Sequence, residues 1–356
     1  MKIIKIVGVT IVLLIGAIAI RVIPISGIAL DLEEVAQGQC EIIPSAPGAE
    51  DITIDKEANL AFVASDDRRA YLLNGQNNAI NGALWTLDLN KPDTQLKEIE
   101  IDVDFPFHPH GISLFKTPAG EKLLYVINHI STTEHEVDVF LWLGENKAGL
   151  IQRIRFPELI SPNDLHVVGR HQFYVTNDHG SPRHTIGEKL EDFLVLPLAN
   201  VLFYDQGEVT IAVDSLYYAN GVITSNDQSR LFVAESSGRQ ISAFSRSSEA
   251  EPWHLDRVYP LETMPDNLEQ DEQGRLLTGG HPKAFDFMAH SFNGDYLSPS
   301  EVVRVDVNAS ELTVDRLYLD LGDELSGSSV AASHKGELLI GSVFEERLLR
   351  CNLIEP

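Results

Sequence analysis

The sequence predicts an all-β chain, a six-bladed β-propeller with a short helical lid and an N-terminal hydrophobic helix ahead of it. Three observations lead there. A strand-turn-strand unit recurs six times, the units are about 56 residues apart, and each opens on a polar pair or a histidine. The composition, 44% hydrophobic and 22% charged over 356 residues, is that of a globular protein with ample chain for a large core. It excludes disordered, collagenous and low-complexity classes.

In chain order, the first element is the uncharged run Ile6 to Ile20, preceded by Lys2 and Lys5 and followed by Arg21. Fifteen uncharged residues fall short of the roughly 20 that span a bilayer. With Arg21 snorkelling, Ile3 to Ile25 reaches that length and reads as an uncleaved anchor. Ala17-Ile18-Ala19 offers the other reading, a signal-peptide cleavage site. Under either reading the lysines keep the N-terminus in the cytoplasm and place the remainder outside it, as a membrane-anchored or secreted protein. The domain division is therefore 1–30 for the anchor or signal segment and 31–356 for the propeller. Cys40 and Cys351 are the two cysteines, one near each end of the propeller. In an oxidising compartment the natural expectation is one disulfide joining the ends, the alternative being two buried thiols.

The six units begin Glu50-Asp51-Ile52, His110-Gly111-Ile112, Asn163-Asp164-Leu165, Asn220-Gly221-Val222, Asp266-Asn267-Leu268 and Ser328-Ser329-Val330. Each continues into a second apolar run: LAFVAS, KLLYVINH, HQFYVTND, RLFVAES, RLLTGGHP and ELLIGSV. Each unit is long enough for a four-stranded blade whose first strand lines the axis. The opening pairs then meet at one mouth of the channel. A strand from the N-terminal region is expected to close the ring against the last blade. Thr185 to Phe203, interrupted by Pro197, has apolar residues at near-helical spacing, and is expected to form an amphipathic helix or two set outside the blades as a lid, the alternative being an ordinary packed insertion.

The groups brought to the mouth are Glu50, Asp51, Asn163, Asp164, Asn220, Asp266 and Asn267. Carboxylates and amide carbonyls are hard oxygen donors, the type that calcium takes six to eight of. Zinc and copper prefer nitrogen and sulfur, which do not lead this set. Taken singly, each Asn or Asp is more simply a strand-start or turn residue; taken together, in register, they favour a metal. His110 shares the register of these groups, and His129 ends the neighbouring strand, so both are candidates for proton transfer. His179, after Asp178, and His281 lie at equivalent strand ends. Asp plus Glu number 53 against 27 Lys plus Arg, a net charge of −26, which repels phosphate backbones and argues against nucleic acid. G-x-S-x-G, H-E-x-x-H and phosphate-loop motifs are absent. Metal-assisted hydrolysis without a serine nucleophile remains as the positive reading.

From Gln39 to Cys351 the chain resembles the paraoxonase/arylesterase family of calcium-dependent lactonases. The resemblance rests on the order and spacing of C-x9-ED, HPHGIS, VINH, NDLHVVG, FYVTNDH, ANGV, the Asp-Asn pair, GGHP and KGELLIGSVF with its following Cys. It implies a six-bladed propeller with two calcium ions on the axis. A catalytic calcium would use Glu50, Asn163, Asn220, Asp266 and Asn267. A structural calcium would use Asp51, Asp164 and the carbonyl of Ile112. His110 and His129 would form a proton-abstracting dyad, Asp178, His179 and His281 would be further active-site residues, and Cys40 and Cys351 would be bonded. The implied substrate is a lactone, with aryl esters as side substrates. Gly280 stands where the family has a cysteine, and the stretches 66–81 and after His179 depart from the pattern, so substrate choice does not carry over. Two alternatives stay open: a sugar-lactone or strictosidine-synthase-like propeller enzyme, and a non-catalytic, calcium-stabilised binding propeller.

Overall fold

The repeat becomes a ring of six antiparallel sheets. The computed structural model describes residues 16, 21–36, 38–74, 80–248 and 250–353. Blade 1 comprises Ala49–Asp55, Leu60–Ser65, Ala83–Asp88 and Lys97–Glu98. Blade 2 comprises Pro109–Lys116, Lys122–His129, His135–Gly144 and Lys147–Ile154. Blade 3 is built from Pro162–Gly169, Gln172–Asn177, Ala199–Asp205 and Glu208–Leu216, and blade 4 from Ala219–Thr224, Arg230–Glu235, Gln240–Ser245 and His254–Pro260. Blade 5 has Met264–Gln270, Leu276–His281, Ser300–Val305 and Val314–Asp320; blade 6 has Ser328–His334, Glu337–Ser342 and Arg347–Leu353. All six expected units are the first two strands of a blade. The first strands stand side by side around the axis, that of blade 6 returning to that of blade 1.

Sandwiching explains why the second strands read as unbroken apolar runs. Successive side chains of a strand point to opposite faces. Phe62 and Ala64 pack toward blade 2, whereas Ala61 and Val63 pack toward blade 6. Likewise Leu124 and Val126 face blade 1 while Leu123, Tyr125 and Ile127 face blade 3. With a neighbour on both sides there is no solvent face to carry polar residues, so the alternation disappears. Among the described residues the core divides into six clusters, one in each gap between adjacent blades.

The ring closes as expected. Gly38–Pro44 forms the outermost strand of blade 6, antiparallel to Arg347–Leu353, and Cys40 lies directly opposite Cys351. The two are disulfide-bonded across 311 residues of sequence. One contact was not expected: Val35–Ala36 pairs with Val314–Asp320 as a fifth strand on blade 5. The N-terminal strand segment thus straddles the seam between the last two blades.

Three helices occupy the loops between second and third strands of blades 1, 3 and 5: Arg68–Asn74, Ile186–Leu194 and Ala284–Phe292. All lie on the face where the first strands begin. The stretch Thr185–Phe203 is only half helical, which corrects the sequence expectation. Its helix starts at Thr185, whose hydroxyl accepts a bond from the Glu188 amide, and ends at Val195 in the left-handed conformation. From Ala199 the chain is the third strand of blade 3, paired on both sides. Leu202 and Phe203 are apolar because both faces of that strand pack, not because they line a helix. Residues 21–26 are helical and dock on the same face. Arg239 Nη1 donates to the Ile25 carbonyl at 2.7 Å, and Lys283 Nζ to the Leu30 carbonyl at 2.6 Å. Of the expected anchor, Ile3 to Ile25, only Gly16 and residues 21–25 are among the described residues. Among those described, no helix is long and apolar enough to cross a membrane.

The disulfide constrains the unfolded chain over almost its whole length. Replacing Cys40 and Cys351 together by serine is expected to cost roughly 2–5 kcal/mol of stability. Denaturant unfolding of the double variant measures it; an unchanged midpoint would mean that strand pairing alone clasps the ring.

Candidate active site

Every first strand is bulged at its opening pair. The register slips between Ala49 and Asp51, Pro109 and Ile112, Pro162 and Leu165, Ala219 and Val222, Pro265 and Leu268, and Ser328 and Ala331. A bulge leaves residues unpaired and re-aims their side chains. Here it does so six times at one level, which turns Glu50, His110, Asn163, Asn220, Asp266 and Asn267 toward the mouth. Gly111 and Gly221 serve the same packing. A Cβ on Gly111 would sit 2.7 Å from the Asn163 carbonyl oxygen, and one on Gly221 2.5 Å from the Leu268 nitrogen. Blade 6 contributes a brace instead, with Ser329 Oγ donating to the Glu50 carbonyl at 2.6 Å.

Three asparagines share one arrangement. Asn163 Nδ2 donates to Asp178 Oδ2 at 3.1 Å, Asn220 Nδ2 to Ser236 Oγ at 3.3 Å, and Asn267 Nδ2 to Glu50 Oε1 at 2.9 Å. Each amide is held by its NH2 end. Each amide oxygen, Oδ1 of Asn163, Asn220 and Asn267, is buried without a hydrogen-bond partner. A buried, unsatisfied acceptor costs about 1–3 kcal/mol, so three in one ring call for a shared partner. With the carboxylates of Glu50 and Asp266 they form a set of hard oxygen donors that fits calcium. Among the described residues no group of three or more His, Cys, Asp or Glu side chains is arranged to hold a metal. The donor set here owes as much to amides as to carboxylates.

Deeper in the channel lie Asp51 and Asp164. Asp51 accepts from the amides of Ile52 at 2.8 Å and Ile112 at 2.6 Å; Asp164 accepts from Leu165 at 2.7 Å and Val222 at 2.8 Å. Each thereby bridges its own bulge to that of the next blade. Burial pushes both carboxyls well above their ordinary range, with the charges of Asp164 and Glu50 adding to the effect on Asp51. Asp266 is also raised, by burial, although His281 Nε2 lies 3.0 Å from its Oδ2 and opposes the shift. Glu50 goes the other way. Burial acts to raise it, but His110, Arg68 and the bond from Asn267 bring it down to about 2. Arg68 Nη2 is 3.3 Å from Glu50 Oε2.

The histidines surround this set. His110 Nε2 is 3.5 Å from Glu50 Oε1, and its Nδ1 is 2.8 Å from His129 Nε2. His129 Nδ1 in turn is 2.9 Å from Nδ1 of His135, a residue that sequence reading did not single out. Its only signal was its place opposite His129 across a hairpin. His281 stacks on Phe287 of the Ala284–Phe292 helix, with centroids 3.6 Å apart. His179 is set farther back, between Asp178 Oδ1 at 2.7 Å and Asp192 Oδ1 at 3.0 Å. It ties the Ile186–Leu194 helix to the wall of the site. Arg183, also missed, donates to Asp178 Oδ2 at 2.9 Å and the Pro162 carbonyl at 3.0 Å. Nothing in the local sequence marks it. The structure therefore gathers Glu50, His110, His129, Asn163, Asn220, Asp266, Asn267 and His281 at the mouth. It sets Asp51, Asp164 and the Ile112 backbone below, and leaves Asp178 and His179 as supports.

Comparison with known proteins identifies the family. The sequence model of the arylesterase family matches residues 31–353. The chain is 30% identical over 329 residues to serum paraoxonase/lactonase 3 of Oryctolagus cuniculus, covering 90% of this chain and 91% of the other. It is 32% identical over 334 residues to serum paraoxonase/arylesterase 2 of Gallus gallus, covering 91% of each. Among solved structures, a putative gluconolactonase superposes with a TM-score of 0.56 at 13% identity, over 89% of this chain and 93% of the other, a likeness of fold alone. By family match and by relatives of nearly full length, the chain belongs to the arylesterase family.

Proposed function

We propose that this chain is an ester and lactone hydrolase that works with bound calcium. One observation carries the reading: three buried amide oxygens without partners stand beside Glu50 and Asp266, next to an imidazole held by a second imidazole. Family membership supports the substrate class, since the named relatives are a lactonase and an arylesterase. Glu50, Asn163, Asn220, Asp266 and Asn267 would hold one calcium; Asp51, Asp164 and the Ile112 carbonyl would hold a second. When bound, calcium supplies a Lewis acid that polarises an ester carbonyl and offsets charge developing on its oxygen.

The protein's own groups move the proton and keep the geometry. His110 Nδ1 is engaged by His129, which leaves Nε2 as the nitrogen beside Glu50 at the mouth. A water oxygen adds to the acyl carbon as its proton passes to His110 Nε2. The acyl C–O bond then breaks, and His110 returns the proton to the departing alkoxide or phenoxide. A lactone yields a hydroxy acid; an aryl ester yields an acid and a phenol. Asp178 positions the Asn163 amide, and His281 positions Asp266. Two of the three helices on the mouth face, Ile186–Leu194 and Ala284–Phe292, expose Ile186, Leu190, Phe193, Phe285, Met288 and Phe292 to solvent. That apolar rim suits an apolar substrate. It also suits an extracytoplasmic protein held at a membrane through its N-terminal segment, domain 1–30, ahead of the catalytic domain 31–356.

The reading is tested by assaying the full chain on an aliphatic lactone, an acyl-homoserine lactone, a sugar lactone and phenyl acetate, with calcium and after chelation. Calcium-dependent opening of the apolar lactones is expected. A folded, calcium-loaded protein inert on all four would overturn it, and turnover of the sugar lactone alone would move the substrate class. Asp266→Ala and Asn220→Ala should each lower bound calcium, measured by elemental analysis, along with activity. His110→Gln should lower kcat by about 10²–10⁴-fold with calcium content unchanged; an unaltered kcat removes His110 from the reaction.

His179 gives a stability prediction. Burial works against its charge, yet Asp178 and Asp192 keep it protonated up to about 10. A folded-state value raised above the ordinary 6.5 stabilises fully below that pH and is lost as pH rises through about 10. Between pH 7 and 10.5 the wild-type thermal midpoint should fall more steeply than that of His179→Gln. Parallel curves would show that His179 is not held charged by the lid.

A further inference from the structure

The helix Ala284–Phe292 carries a histidine that the reaction does not use. His290 is fully buried between the Arg68–Asn74 helix and the blade 6 loop that holds Phe344 and Glu345. Its Nδ1 lies 2.6 Å from the Tyr296 carbonyl oxygen. A carbonyl only accepts, so Nδ1 carries a hydrogen whether the ring is neutral or charged. Any change of protonation is thereby confined to Nε2.

Two groups of opposite demand meet at that nitrogen. Arg69 Nη2 is 3.0 Å away and can only donate. Glu345 Oε1 is 3.2 Å away. The Glu345 carboxyl lies below the ordinary carboxylate range, through His290 first and with Arg347, 3.2 Å from its Oε2, adding to the effect, so it is ionised and only accepts. A neutral ring takes the Arg69 hydrogen bond and leaves Glu345 facing a lone pair. A protonated ring donates to Glu345 and sets a second cation against Arg69. Neither charge state satisfies both partners. Phe344, its ring centroid 5.8 Å from that of His290, and Gly327, where a Cβ would lie 3.9 Å from His290 Cδ2, close the remaining sides and bring no charge.

Arg69 also has room to move. Beyond the ring nitrogen it is held by the His290 carbonyl, 3.2 Å from Nη2, and by the Phe344 ring, 5.2 Å from Cζ, while its Nε is buried without a hydrogen-bond partner. Beside it lies a cavity of about 490 Å³, lined also by Asp67, Leu73, Phe344, Glu345 and Glu346. The carboxylates among these are acceptors for a guanidinium that leaves His290.

We propose that His290 is a pH-operated latch between two of the mouth-face helices. Neutral, it holds Arg69 and ties Arg68–Asn74 to Ala284–Phe292; protonated, it turns to Glu345 and releases Arg69 into the cavity. The latch reaches the site through Arg68, the neighbour of Arg69, whose Nη2 lies 3.3 Å from Glu50 Oε2.

Two-bond ¹H–¹⁵N spectra of the full chain with labelled histidines, followed from about pH 8 to 5, should show Nδ1–H on His290 throughout and Nε2 gaining its hydrogen within that range. Arg69→Met removes the competing cation and should move this titration to higher pH; Glu345→Gln removes the acceptor and should move it to lower pH. Hydrogen exchange of the amides of residues 68–74, corrected for the intrinsic pH dependence of exchange, should show protection about tenfold lower at the acid end. His290→Gln keeps an acceptor for Arg69 but does not titrate, so its protection should be equal at both ends. A wild-type ring that stays neutral to the acid end overturns the latch, as does one that is protonated with no loss of protection over 68–74. Both outcomes are read on the wild-type protein, so neither depends on a variant folding. An equal loss of protection in wild type and His290→Gln also overturns it, by assigning the loss to other groups.

Discussion

Crowding of buried carboxylates around one axis is the constraint that organises this molecule. Glu50, Asp51, Asp164 and Asp266 all sit within a few per cent of full burial around one channel. Isolated buried carboxylates are costly unless paired or bound to a cation. The fold meets the cost in several ways. Bulge amides solvate Asp51 and Asp164, Arg68 and His110 offset Glu50, and His281 offsets Asp266. What these leave unmet are neutral acceptors: three amide oxygens aimed inward. A divalent cation answers both the surplus charge and the idle oxygens, which is why the donor chemistry, rather than any local motif, points to one.

The bulges connect the propeller to its chemistry. A regular strand would place alternate residues toward the axis and toward its partner strand. Slipping the register at the opening pair frees Asn163 and Asp164 together from the ladder, and Glu50 alone beside a still-paired Asp51. In both pairs the first residue serves the mouth and the second lies deeper. Repetition of one backbone irregularity thus yields two layers of ligands from residues adjacent in sequence.

The first two strands of every blade were legible in the sequence because sandwiching imposes a repeating signature: a polar pair, then an apolar run. The closing strand was legible from Cys40 and Cys351. The third and fourth strands are harder to read: the apolar spacing of Thr185–Phe203 predicts helix throughout, whereas from Ala199 onward the chain is strand. The apolar residues of Ala199–Asp205 continue the spacing set by the Ile186–Leu194 helix, and only pairing on both sides makes this segment a strand. Candidate residues on first strands were legible because the repeat aligned them. His135 and Arg183 were not, since neither occupies a repeated position; each gains meaning only from a neighbour brought close by a hairpin or a loop.

The strand pairing of the N-terminal region has a geometric consequence. Between Leu30, held by Lys283 at the mouth, and Val35, paired on blade 5, only four residues intervene. Gly38 is already in blade 6. The backbone has little free length there. Residues 21–30 are thus held at the mouth by the same stretch whose continuation seals the ring.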